Sequence, residues 1–313
     1  MTTKEQRARL STHVVFVDYG LEVEVQHTVR ASKYRIERTV YEDLLRFRGF
    51  QEPEERHRRW VDVGVLVPPF KDNFEYQGGL RLGSEAQLAR DYQDWYWRHE
   101  IESEREYRWL GHGIGKMPTD LFLYQELMAA HSIRSVLEIG YGNGGGIWFF
   151  ATVLRALGGG MVAGVDSNGG TNLPPFATIE GVGVALVTGD AHAQQTQEAV
   201  KLLRPEGFSL VVIDADPDPV GKIRLLQRWA ESVAPNGFLF VEDVESPRCR
   251  DVDPQILVGI DGFLLERTDF RIAVEAARTP LLKARGAALQ RCLSTPPPLS
   301  VDPRANHPRQ PDR

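Results

Sequence analysis

The sequence predicts an α/β fold: a doubly wound, mostly parallel sheet preceded by a small α+β unit. Three observations carry that expectation. From Met117 onward, short apolar runs of strand length alternate with segments of helical period. Within that alternation, SVLEIGYGNGGGIWFFATVLRALGGGMVAGVD, Ser135 to Asp166, reads as strand, glycine turn, helix and second strand. The first 69 residues follow a different order, with hairpin strands ahead of two short helices.

The elements follow in sequence. HVVFVDYGLEVEVQ gives two alternating strands around Asp18-Tyr19-Gly20, then helices over Ile36–Phe47 and Pro53–Val63, and the apolar edge Val65-Leu66-Val67 before Pro68-Pro69. This pattern resembles the small winged-helix modules that recognise leader peptides beside peptide-modifying enzymes. The resemblance implies a leader or carrier peptide as partner of residues 1–69, and a structural cap or dimerisation element is the alternative. Residues 70–115 read as a helical linker or lid, rich in aromatics at Tyr92, Trp95, Tyr96, Trp97, Tyr107 and Trp109, which serve core packing or line an acceptor pocket.

The main domain spans 116–293. Its expected elements are helix 119–131, strand 135–139, helix 146–157, strands 161–166 and 182–187, helix 193–203, strand 208–214, helix 219–233 and strand 237–242. Pro254–Leu265 reads as a further helix and Phe270–Ala276 as a strand that adds an antiparallel edge. Residues 294–313, with Pro296-Pro297-Pro298 and almost no apolar side chain, read as a disordered tail.

Composition narrows the function classes. With 313 residues, 42% hydrophobic and 26% charged, the chain can bury a large core. A net charge of −6 argues against a nucleic-acid surface, and Arg56-His57-Arg58-Arg59 reads as a solvated helix face. Cys249 and Cys292 are too few for a disulfide framework or a thiolate metal site. MTTKEQRARLS lacks the apolar core of a signal peptide, and the apolar stretch Gly144–Val165 is broken by Arg155 and Gly158-Gly159-Gly160. The expectation is a cytoplasmic protein with no membrane partner.

The Ser135–Asp166 segment has the form of a nucleotide-cofactor site. Gly140, Gly142 and Gly144 let the backbone turn tightly beneath a ligand, the next helix points its N-terminus at that ligand, and Asp166 ends the second strand where it can accept from a ribose diol. Gly140-x-Gly142-x-x-Gly145 also satisfies a dinucleotide fingerprint. Glu138 separates the two: a carboxylate there suits the cationic amino-acid end of S-adenosylmethionine and repels a pyrophosphate. The string E-x-G-x-G-x-G with Asp166 looks like the first two motifs of class I methyltransferases. That resemblance places the methionyl amine on Glu138, the cofactor over Gly140, Tyr141, Gly142 and Gly144, the ribose at Asp166 and Ser167, and the adenine beside Asp190 and Ala191, with Asp214 bordering the cofactor.

Carboxylates crowd the expected rim of carboxyl strand ends and repel one another unless a cation shares the site. Asp214 ends LVVID, and Glu242 and Asp243 end FLFVED. Oxygen ligands of this kind suit Mg²⁺, which would lower the pKa of a substrate hydroxyl. Each of these carboxylates can instead cap a helix or pair with a cation, as Asp190 and Asp216 readily do. Lys116 is open between a salt bridge and an active-site role, and His192 between an adenine border and the surface.

WLGHGIGKMPTDLFLYQELM, followed by VLEIGYGNGGG, GDA, VVIDAD and NGFLFVEDV, is similar to the family of cephalosporin hydroxylases and rhamnosyl or macrolide-sugar O-methyltransferases, over roughly residues 105–275. The family's Lys-x-Pro-x-Asp turn is matched by Lys116-Met117-Pro118-Thr119-Asp120. The resemblance implies a divalent ion on Asp214 or Asp216, Glu242 and Asp243. Where family members often carry a histidine after the D-x-D string, this chain has Pro217, which leaves His112, His99 or Asp214 as candidate catalytic groups. The implied function is O-methylation of a natural-product hydroxyl on a sugar, polyketide or peptide-derived small molecule, and a homo-oligomer is compatible with it. The alternatives are a degenerate methyltransferase fold acting as a binding module and an NAD-dependent oxidoreductase, which Glu138 disfavours.

Overall fold

The computed structural model describes residues 7–11, 14–27, 32–69, 107–170, 179–244, 255–273 and 288–292, with isolated positions in 88–98 and 173–176. Among them, β1 (Arg9–Leu10), β2 (Val14–Asp18), β3 (Glu22–His27), β4 (Ser32–Glu37), α1 (Arg38–Leu44), α2 (Arg58–Asp62) and β5 (Leu66–Val67) build the amino-terminal unit. The hairpin β6 (Tyr107–Trp109) and β7 (His112–Ile114) follows. The main domain comprises α3 (Pro118–Ala130), β8 (Ser135–Ile139), α4 (Gly145–Ala156), β9 (Gly160–Asp166), β10 (Val182–Thr188), α5 (Gln194–Leu203), β11 (Phe208–Ile213), α6 (Pro219–Trp229), β12 (Val233–Val241), α7 (Gln255–Glu266), β13 (Phe270–Ile272) and β14 (Ala288–Arg291).

The main sheet has seven strands in the order β10-β9-β8-β11-β12-β14-β13. β8 to β12 run parallel, and β14 enters antiparallel between β12 and β13. The chain leaves β8 first toward β9 and β10, then returns to place β11 on its other side, so the carboxyl ends of β8 and β11 flank the switch point where ligands of such sheets bind. All five residues of β8 are buried. Alternation sends Val136 into the core layer under α3 and α4, and Leu137 and Ile139 into the layer with Val200 and Leu225. Glu138 therefore shares the Val136 face, beneath α4.

Three expectations are corrected. Residues 107–114, read as part of a helical linker, form a hairpin, because Leu110 (φ 48°) and Gly111 (φ 89°) give the two-residue turn with two positive φ values that matches strand twist. The expected edge strand at Phe270 does lie at the edge, but β14, unread in the sequence, inserts between it and β12. The helix expected from Ile36 instead begins at Arg38, and Ser32–Glu37 is a third antiparallel strand beside β3, with Val23↔Ile36 in register. No helix among the described residues is long and apolar enough to cross a membrane. The expected tail, 294–313, and nearly all of 70–106 lie outside the described residues.

The amino-terminal unit is tied to the main domain. Phe50 belongs to the same buried cluster as Phe263 and Phe270, and Arg9 pairs with Asp261 of α7. β1 pairs with β5, Arg9↔Val67 and Leu10↔Leu66, so the unit starts at least as early as Arg9.

Candidate active site

The site is assembled around a buried lysine. Lys116 lies between β7 and α3, where Pro118 opens the helix, Asp120 favours its first turn, and the Tyr96 hydroxyl donates to the Lys116 carbonyl at 3.0 Å. Its ammonium donates to Asp214 Oδ2 at 2.8 Å, approaches Glu138 Oε1 at 2.9 Å, and donates to Glu242 Oε1 and Oε2 at 3.0 and 3.1 Å. The three carboxylates come from the ends of β8, β11 and β12, neighbours in the sheet. Lys116 and Glu242 have side-chain exposures of 3% and 1%, whereas Asp214 keeps 23%.

Burial and charge set the protonation states. Desolvation alone would lower the Lys116 pKa, but Asp214, Glu138 and Glu242 raise it well above the ordinary lysine value, so it stays an ammonium. Burial raises the Glu138 pKa, and Lys116 opposes that shift. Tyr124 of α3 donates its hydroxyl to Glu242 Oε1 at 2.6 Å; burial first, then Glu242, raises its pKa well above 10.0. Lys222, buried on α6, donates to the Glu242 carbonyl at 2.8 Å and holds the backbone there.

The glycine turn meets protein more than open space. A Cβ at Gly146 would stand 2.2 Å from Glu138 Oε1. That position is glycine so that α4 can close over the carboxylate. Gly140 and Gly144 are likewise crowded by protein atoms, Asp214 O and Leu173 respectively, and Tyr141 is buried in the core. Gly142 alone of the expected turn glycines has a free approach, at φ 50° with nothing within 4 Å of its ideal Cβ. Its amide donates to Asp166 Oδ2 at 2.9 Å, and Asp166 Oδ1 accepts from the Asn168 amide at 2.9 Å. Ser167 is exposed beside them.

Further along the rim, Asp190 is exposed and accepts from the His192 amide, and Ala191 offers its carbonyl to Trp229 Nε1 at 3.1 Å. His192 Nε2 lies 2.8 Å from Asp216 Oδ2, a pairing for which the sequence carried no spacing signal. Asp216 and Asp243 both adopt positive φ, 61° and 64°. His112 packs edge-on against Trp148 with ring centroids 4.8 Å apart. His99 lies outside the described residues.

The expected convergence of Asp214, Glu242 and Asp243 on one metal point is not what forms. Among the described residues no group of three His, Cys, Asp or Glu is arranged to hold a metal ion. Asp214 and Glu242 meet at the Lys116 ammonium instead. As arranged, this donor set does not fit a divalent cation. Tyr124 and Lys222, both on Glu242, were not legible as site residues, since each reads as an ordinary member of its helix.

The model of the rhamnosyl O-methyltransferase/CmcI family matches residues 102–270. Among curated proteins, none matches the chain by sequence. Solved structures similar to it include one described as cmcI-D160 Mg-SAM, at 18% identity and TM-score 0.48 over 60% of this chain and 77% of that one. An O-methyltransferase from Bacillus cereus in complex with SAH gives 16% and 0.40 over 68% and 89%. MycE of the mycinamycin pathway, with Mg, SAH and mycinamycin VI, gives 15% and 0.35 over 63% and 50%. The family assignment rests on the match over 102–270, which covers more than half of the 313 residues. Together with the strand-end carboxylate Glu138 and the glycine turn, it makes this chain a member of the rhamnosyl O-methyltransferase/CmcI family and an S-adenosylmethionine-dependent methyltransferase.

Proposed function

We propose that the protein methylates a hydroxyl of a natural-product small molecule, on a sugar, polyketide or peptide-derived scaffold. The observation that carries the reading is Glu138: its Oε1 is held by Lys116, while its buried Oε2 has no hydrogen-bond partner among the described residues. A buried carboxylate oxygen left without a donor is costly, and the ammonium of a methionyl group supplies one. Bound S-adenosylmethionine contributes an electrophilic methyl group on a sulfonium. The chain's own residues do the rest. Glu138 orients the amino-acid end, the open face of Gly142 admits the cofactor, Asp166 and Ser167 stand at the ribose position, and Asp190 and Ala191 border the adenine.

Asp214, the most exposed carboxylate on Lys116, is the group best placed to take the proton of an acceptor hydroxyl. His112, half-buried against Trp148, is the alternative base, and His99 is a candidate by sequence. The magnesium named with the cmcI and MycE structures belongs to those proteins.

The leader or carrier peptide is a further part of the proposal. Its support is a cavity of about 490 Å³ between the edge strand β4 and α2, lined by Tyr34, Ile36, Val40 and Trp60 with Arg35 and Arg59. Calorimetry with S-adenosylhomocysteine and NADH side by side tests the cofactor class. Tight S-adenosylhomocysteine binding with no NADH heat is expected, and the reverse result would sink the reading.

A further inference from the structure

The Lys116 ammonium has three N–H donors, and the ends of three adjacent strands present it with three carboxylates, at 2.8 Å (Asp214), 2.9 Å (Glu138) and 3.0 Å (Glu242). Its hydrogen-bonding capacity is therefore filled by the cluster. The backbone that carries it is anchored on both sides, by the Tyr96 hydroxyl on its carbonyl and by buried Met117 followed by Pro118 at the start of α3. Glu242 is fixed independently, by Tyr124 on its side chain and Lys222 on its carbonyl. A lysine held this way is not a loose surface partner that swings aside for a competing ion. It sits where two carboxylates of the rim come together, the point a divalent cation would need.

Resting on the methyltransferase reading above, we propose that Lys116 is a tethered cation: a positioning residue that takes the place of a divalent ion between Asp214 and Glu242 and, through Glu138, links the acceptor side of the site to the cofactor's amino group. One lysine then performs two tasks. It neutralises part of the charge on Asp214 and Glu242, so the acceptor-facing carboxylate keeps its position without metal. It also occupies Glu138 Oε1, which leaves Oε2 as the oxygen for the cofactor. The arrangement makes the parent protein indifferent to divalent ions, and it makes the loss of Lys116 expose a cluster of carboxylates that such ions would seek.

The experiment compares the full-length parent with Lys116→Ala, using Mn²⁺ paramagnetic resonance, thermal unfolding with and without Mg²⁺, and calorimetry with S-adenosylhomocysteine in excess EDTA. For the parent, no stoichiometric Mn²⁺ binding, no shift of the unfolding midpoint by millimolar Mg²⁺ and undiminished S-adenosylhomocysteine binding in EDTA are expected. For Lys116→Ala, the midpoint should fall and recover with Mg²⁺, one Mn²⁺ should bind, and S-adenosylhomocysteine affinity in EDTA should drop at least tenfold and rise again on adding Mg²⁺. Stoichiometric Mn²⁺ binding by the parent at a site abolished by Glu242→Gln overturns the proposal, and this arm stands even if Lys116→Ala does not fold. A folded Lys116→Ala with parental midpoint and parental affinity overturns it as well. If the parent binds no S-adenosylhomocysteine at all, the methyltransferase reading fails, whereas the Mn²⁺ arms continue to report on the tethered cation alone.

Discussion

Arg9 Nε donates to Asp261 Oδ1 at 2.7 Å, joining the first strand of the chain to α7 of the main domain, and both side chains are almost completely buried. The same guanidinium donates to the Leu10 carbonyl and lies 5.7 Å over the Phe50 ring. A buried pair of this kind is worth little against an apolar replacement, but removing one partner strands the other charge. Asp261→Ala should destabilise the protein by about 3–5 kcal/mol in urea unfolding, and Arg9→Met with Asp261→Leu by much less. Equal losses in the single and double variants would show that the pair does not govern docking of the amino-terminal unit.

Glu138→Gln keeps the shape of the side chain and removes its charge. S-adenosylhomocysteine affinity should fall by about 1.5–3 kcal/mol, the scale of a hydrogen bond to a charged group. Titration calorimetry on the folded variant checks this. Unchanged affinity would place the methionyl amine elsewhere.

Asp166 already uses both carboxylate oxygens to hold the Gly142 and Asn168 amides. Asp166→Ala should therefore weaken cofactor binding by about 1–3 kcal/mol, through loss of the ribose contact and of the turn it braces, while the fold survives. Parental affinity in the folded variant would take the ribose away from this strand end.

Tyr124 remains a hydroxyl donor throughout the accessible pH range because burial and Glu242 push its ionisation far up. Tyr124→Phe removes one donor from a buried carboxylate and should cost about 1–3 kcal/mol of stability. Denaturant midpoints of the two proteins measure it, and an unshifted midpoint would mean that Glu242 is satisfied without the Tyr124 hydroxyl.

A pH effect is expected at the far edge of the sheet. The Asp269 carboxylate is held below the ordinary value of 3.8 chiefly by its hydrogen bonds from Arg267, with Arg291 adding to the effect. A depressed carboxylate contributes stability that is complete above its unfolded pKa and is lost as pH falls through the folded one. The parent should lose stability below about pH 3.8, and Asp269→Asn should show a shallower decline over that window. Parallel acid-unfolding curves would remove Asp269 from the account.

Much of the main domain was legible because its signals are local. A short apolar run bounded by glycine, as in β8, is a buried strand wherever it pairs, and the alternation from Met117 onward specifies a parallel sheet through chain connectivity alone. Glu138, the glycine turn and Asp166 were visible for the same reason: strand end, turn and next strand end are fixed along the chain. The hairpin at 107–114 was missed because its aromatics fit a helical lid as well, and only positive φ at Leu110 decides between them. β14 was missed because a four-residue strand far from its partners carries no periodicity of its own.

What tertiary structure alone decided is the cation of the site. The sequence determined that carboxylates would gather at the carboxyl ends of the strands, since each sits at the end of an apolar run. It does not state which positive charge enters among them, because Lys116 lies 98 residues from Asp214 and 126 from Glu242. Their meeting depends on the order β8-β11-β12 and on the angle at which the chain enters α3, neither of which is a property of any local segment. A Coulombic requirement is written in composition, whereas the atom that meets it is chosen by which backbone packing brings within 3 Å.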